Sequence, residues 1–111
     1  MNLLIVWKSS NETDINNFII PYAYNSKVQD WFTNVTVLIW GASQEKVLHD
    51  VAIQELVRNL TNSGIALYAC KMCADRVGAT ALLESLGVIV QYTGVLLSDA
   101  MKDKDTEVIT I

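Results

Sequence analysis

The sequence predicts an α/β fold, a three-layer α/β/α sandwich on a five-stranded parallel sheet. Three observations predict it. Five short apolar runs recur along the 111 residues: Leu3–Trp7, Val35–Trp40, Ile65–Ala69, Val88–Tyr92 and Val108–Ile111. The first two are nearly unbroken in apolar character, which suits strands covered on both faces better than strands with one wet face. Helix-like segments with their own start and stop signals separate the runs. Such β-α alternation means parallel strands joined by right-handed crossovers, with helices on both faces. Local periodicity leaves the strand order open. The length fits one domain, 1–111, with no linker, repeat or low-complexity stretch.

The elements follow in order. The first helix covers about Thr13 to Asp30, and Pro21 inside it should kink or split it, because proline has no N–H for the preceding turn. Ser43 is placed to cap the second helix, with Glu45 near the positive end of its dipole. That helix should end at Asn62-Ser63-Gly64, where Gly64 is free to take the left-handed conformation. The third helix reads from Cys73 to Leu86 and stops at Gly87, and the fourth from Val95 to Lys102. On the third, Ala79, Leu82, Leu83 and Leu86 form the core-facing stripe. Cys73 falls on the opposite side, toward solvent or a partner subunit. His49 shares a register with Ala52, Ile53, Leu56 and Leu60 and reads as a packed core or interface residue. Trp7 and Trp40, at strand ends, either wall an apolar pocket or fill the core. Trp31 anchors the loop before the second strand.

Composition excludes several function classes. Eight basic against twelve acidic residues, a net charge of -4, and scattered lysines give no electrostatic footprint for nucleic acid. No apolar run approaches the ~18–20 residues of a membrane span. Met1 to Trp7 is too short for a signal-peptide core, and Lys8 follows the apolar run instead of preceding it. Nothing marks export, so a cytoplasmic setting is expected. Only 18% of residues are charged and 51% are apolar, against a globular norm of about 25% charged. A chain this small cannot hide that much apolar surface alone, so a homo-oligomer is expected.

In parallel sheets of this kind, ligands bind outside the carboxyl ends of the strands. The rule selects Lys8-Ser9-Ser10, Gly41-Ala42-Ser43, Cys70-Lys71-Met72-Cys73 and Thr93-Gly94. Ser9, Gly41, Ser43 and Gly94 are therefore the candidate binding positions. Cys70 and Cys73 are the candidate reactive residues. Cys70 closes the third strand where a helix begins, and unpaired N–H groups and the helix dipole there favour a thiolate. Lys71 adds a positive charge beside it. The thiolate is the form that attacks sulfur and makes persulfides or disulfides. The alternative is that Cys70 is a small buried hydrophobe. Cys73 either resolves an oxidised Cys70 or is incidental. Two thiols at this spacing also make half of a zinc site. The chain has no third cysteine, and His49 is its only histidine, so no metal and no cofactor are expected.

The stretch from Gly64 to Gly78 (GIALYACKMCADRVG), with Leu86-Gly87-Val88-Ile89-Val90 and the closing Glu107–Ile111, resembles the DsrE/DsrF-like family. The second strand running into Trp40-Gly41-Ala42-Ser43 does too. The resemblance covers nearly the whole chain and implies the same five-stranded α/β/α sandwich. It also implies assembly as a dimer, trimer or hexamer. Sulfur-relay members carry a persulfide on a cysteine at the end of the third strand, which Cys70 matches, and Arg76 and Gly78 match the arginine and glycine that follow. Cys73 departs from the relay members and belongs with a C-x-x-C subgroup. The expected function is a small sulfur-handling protein, a sulfurtransferase or sulfur carrier. Cys70 would accept sulfane sulfur from a donor protein and pass it to an acceptor. The alternatives are a thiol-disulfide redox protein using Cys70 and Cys73, and a non-catalytic oligomeric module that binds a small ligand.

Overall fold

The computed structural model describes residues 1–111. Five parallel strands form one sheet: β1 (Asn2–Trp7), β2 (Asn34–Ile39), β3 (Ala66–Cys70), β4 (Ile89–Gln91) and β5 (Thr106–Thr110). Their spatial order is β4-β3-β2-β1-β5. The α/β sandwich expected from the alternation is the one observed.

This order decides how the two faces are covered. From β1 through β4 the chain steps steadily across the sheet, and right-handed crossovers then place every connecting helix on one side. The return from β4 to β5 runs the other way and places its helix on the opposite side. The first face accordingly carries a core of 22 buried residues, Leu3, Ile5, Trp7, Val37 and Ile39 among them, under six helical segments. The second face has three buried residues, Leu4, Val6 and Leu38, packed with Trp40, Tyr68 and Val108 under a single helix. That helix is α7 (Gly94–Lys102), none of whose residues is buried.

Three helices depart from the sequence expectation. The first is not split by Pro21. It runs as α1 (Glu12–Asp14), a π-helical segment (Ile15–Ile19) and α2 (Ile20–Val28). The Ile20 N–H bonds to the Ile15 carbonyl, five residues back. The wider turn falls just where the proline removes a donor, so the helix continues through it. The second helix is two, α3 (Ala42–His49) and α4 (Val51–Asn62). Asp50 between them is extended and caps α4 by accepting the Ile53 N–H at 3.1 Å. That cap outcompetes one continuous helix, and His49 is left exposed at the end of α3 instead of packed. The third helix is also two, α5 (Lys71–Val77) and α6 (Thr80–Ser85). Gly78 sits between them in the left-handed conformation, with its N–H on the Ala74 carbonyl.

Trp7 is fully buried and fills the core, its indole N–H on the Ser9 carbonyl at 2.9 Å. Trp31 is 57% exposed and lies against Tyr22. No helix is long and apolar enough to cross a membrane.

Candidate functional site

At the carboxyl end of β3 the chain turns directly into α5. Cys70 is the residue before the helix, extended at φ −65° and ψ 119°. It is 4% exposed. Burial alone would raise the pKa of its thiol. Against this act the backbone N–H groups of Cys73 and Met72, the Cys73 thiol and the Thr93 hydroxyl, and the net shift is downward. A first turn aimed at a sulfur is a known way to favour the thiolate.

The neighbouring thiol shifts the other way. Burial raises the pKa of Cys73, the Gly41 N–H offsets part of this, and the nearby Cys70 raises it further. The Arg76 charge acts in the lowering direction and is the smallest influence named here. Both thiols are free, with Cys70 buried and Cys73 half-buried. The pair is thus electronically unequal: Cys70 gives up its proton first. No cluster of three or more His, Cys, Asp or Glu side chains is arranged around a metal position.

Two side chains from other elements complete the site. Gln44 on α3 is 1% exposed, and its amide donates to the Cys70 carbonyl at 3.0 Å and the Ile39 carbonyl at 3.2 Å. It ties the ends of β2 and β3 together. Thr93, at the start of α7, is 1% exposed, and its hydroxyl makes no full hydrogen bond in the resting structure. It bears on the Cys70 sulfur, where it favours the charged form. Beside Cys73 opens a cleft of about 250 Å³, lined by Gly41, Ala42, Gln44 and Glu45 on one side and by Cys73, Arg76 and Val77 on the other.

The solved structure of BT1422, a conserved protein of unknown function from Bacteroides thetaiotaomicron, superimposes with a TM-score of 0.94. It is 30% identical over 99% of this chain and 94% of its own. The chain belongs to the BT1422 family. The ychN protein of E. coli shares the fold, with a TM-score of 0.79 and 19% identity across 100% of this chain and 99% of its own. No protein-family model and no curated protein matches the chain.

The positions read from the sequence divide into two groups in this member of the BT1422 family. Cys70, Cys73 and Gly41 come together. Gly41 has φ 75° and ψ −135°, a conformation open to glycine and strained for other residues, and this turn aims its N–H at Cys73. The others serve different ends. Ser43 does not cap α3. It is fully buried in the first turn, and its hydroxyl lies 2.6 Å from the Trp7 carbonyl and 3.2 Å from that of Trp40. Lys71 turns to Asp75 at 2.8 Å, away from the sulfur. Ser9 holds the β1–α1 loop, accepting the Asn11 N–H at 3.1 Å. Gly94 begins α7, and the residue before it, Thr93, is the one whose hydroxyl favours the Cys70 thiolate. Sequence reading of Thr93-Gly94 pointed to the glycine. The available signal was the threonine's position at a helix start after a strand, where its hydroxyl ordinarily caps. Here the hydroxyl is turned to a sulfur instead.

Proposed function

We propose that this protein takes up and carries sulfane sulfur on Cys70. The observation that carries the reading is the seat of that thiol. It is favoured as thiolate by the Met72 and Cys73 N–H groups and faced by a threonine hydroxyl with no other partner. The resemblance of Cys70, Arg76 and Gly78 to the sulfur-relay pattern of the DsrE/DsrF-like family agrees with it. In the loading step the Cys70 thiolate attacks the outer sulfur of a donor persulfide, R–S–SH. The donor's S–S bond breaks, its electron pair leaves with R–S⁻, and the proton of the transferred sulfur passes to that group, giving R–SH and a Cys70 persulfide anion. Cys70 then holds a persulfide. Cys73 can release this sulfur: its thiolate attacks the Cys70 sulfur, hydrosulfide leaves, and a Cys70–Cys73 disulfide remains.

Incubation with a persulfide donor followed by intact mass spectrometry is the test. Cys73→Ser, which cannot discharge the sulfur, gains one sulfur and Cys70→Ser gains none. Absence of the adduct on Cys73→Ser, or the same adduct on Cys70→Ser, overturns the proposal. A second reading, a thiol-disulfide redox protein, is favoured by the contact between the two thiols. It expects a Cys70–Cys73 disulfide on mild oxidation with no prior sulfur uptake.

The same reading includes a homo-oligomer working inside the cell with a sulfur donor and acceptor. The thinly covered face of the sheet supports assembly, since Ile89, Tyr92, Val95 and Met101 are exposed on or beside it. Sedimentation of the purified chain at monomer mass would contradict that part.

A further inference from the structure

The cleft beside Cys73 carries charge of both signs on its walls. Glu45 stands on the α3 side and Arg76 on the α5 side. Neither enters any of the ion pairs in the molecule, whereas Lys46, Arg58 and Lys71 all pair with carboxylates. The same cleft holds a third group without a partner. Gln44 lines the same cleft, is 1% exposed, and its side-chain oxygen has no donor. A buried oxygen left this way is unfavourable until something donates to it. An ammonium group offers three donors, and a guanidinium fork suits a carboxylate. At about 250 Å³ the cleft is smaller than the ~300–1,000 Å³ of ordinary ligand pockets. That volume suits a ligand the size of one amino acid.

We infer that the cleft binds a small zwitterionic α-amino-acid thiol. Its carboxylate meets Arg76, its ammonium meets Glu45 and the Gln44 oxygen, and its sulfur is presented to Cys73 and, beyond it, Cys70. This deepens the sulfur-carrier reading, and in that respect rests on it, by naming the donor: the persulfide of a cysteine-type amino acid. The loading step is the one written above, with R–SH released as the free amino-acid thiol. Cys73 lies one helical turn from Arg76 on the same wall, so binding through the charged head places the ligand's short side chain at Cys73, with the buried Cys70 behind it.

S-methyl-L-cysteine, which cannot transfer sulfur, is the probe, and titration calorimetry on the reduced full chain is the readout. Wild type is expected to bind it saturably. Capping the probe's amine by acetylation, or its carboxylate as the methyl ester, should each weaken binding about tenfold, the loss of one charge-assisted contact. Glu45→Gln should also weaken the probe about tenfold and lose most of its sensitivity to the amine cap while still sensing the ester in full. Arg76→Gln should show the converse. A merely structural role for either residue would not produce that crossed pattern. Failure of wild type to bind the probe, or equal binding of capped and uncapped forms, overturns the inference. Loading with inorganic polysulfide, scored on Cys70 by mass, separates it from the reading beneath it. If polysulfide loads Cys70 but the probe does not bind, only the cleft assignment falls. If the probe binds with the crossed pattern and no donor loads Cys70, the amino-acid site stands and sulfur carriage falls.

Discussion

Two loop regions lie at the carboxyl end of the sheet, and they are built to opposite specifications. After β1, polar groups find partners within the loop and its neighbours: the Trp7 indole donates to Ser9, Ser9 accepts from Asn11, and Lys46 reaches Glu12 at 2.6 Å. After β2 and β3 the satisfaction is partial, with Ser43 and Lys71 paired but other groups left open. The Gln44 oxygen and the Thr93 hydroxyl are buried without full partners, Glu45 and Arg76 are unpaired, and two thiols of unequal acidity face each other. Folding alone would favour satisfying these groups. A region that closes its own hydrogen bonds is finished when the chain folds, and the groups left open after β2 and β3 are the ones the proposed sulfur chemistry and ligand would use. The rule that ligands sit beyond the strand ends nominated both regions, and polar satisfaction tells them apart.

The sharpest way to break the contrast is at the turn that holds Gly41. A side chain there meets no neighbour within 4 Å, so any cost comes from the backbone. Gly41→Ala should lose about 1–3 kcal/mol in chemical denaturation, and the Cys73 alkylation profile should move as its N–H partner is displaced. A stability loss with an unchanged Cys73 profile would show that this N–H does not set that thiol. Ser43→Ala should cost about 1–3 kcal/mol, because it removes the hydroxyl that meets two carbonyls at the ends of β1 and β2.

Thr93→Val should change chemistry more than stability. It removes the hydroxyl that bears on Cys70, so alkylation of Cys70 at neutral pH should slow by a few-fold, while Thr93→Ser stays near wild type. In wild type the inflection of Cys70 alkylation against pH should lie below that of Cys73. The stability consequence has a definite sign. The Cys70 pKa is lowered by folding, so its contribution is absent below the folded pKa, grows as pH rises through it, and is complete above the ordinary thiol value. Cys73 is raised by folding and begins to subtract stability only above that ordinary value. Denaturation series from neutral pH to the ordinary thiol range should therefore show a rise that Thr93→Val flattens. The smallest effects belong to the satisfied side. Ser9→Ala and Lys71→Ala should leave Cys70 reactivity unchanged and shift stability by about 0.5 kcal/mol or less. A large change of Cys70 reactivity in Lys71→Ala would mean that the lysine leaves Asp75 for the sulfur in solution.

Much of this molecule is readable before it folds. The apolar runs mark all five strands within a few residues, and the final helix is misread by one residue at its start. Two of the three helices that depart from expectation turn on single residues. Asp50 breaks the helix by turning extended and capping α4 with its carboxylate. Gly78 ends α5 with four core-facing positions still to come, so the stripe of Ala79, Leu83 and Leu86 survives on a second helix. Of the site, Cys70, Cys73 and Gly41 were legible, because their position at strand ends is a local property. Thr93 was legible only as part of a strand-end segment and Arg76 only through the family resemblance, while Gln44 and Glu45 were not read as site residues, since nothing near each of them in sequence says which loop will lie beside it.

The sequence by itself determined the element types, the parallel sheet and the placing of a thiol at a strand-to-helix junction, since each depends on spacings of a few residues. Tertiary structure decided the strand order, and with it the thick and thin faces and the meeting of α3, α5 and the start of α7 around the two cysteines. Hydrophobic periodicity tells a segment which of its sides to bury. Which neighbour it is buried against depends on long-range pairing, and here that pairing sets Thr93 beside Cys70 and leaves opposite charges facing across one small cleft.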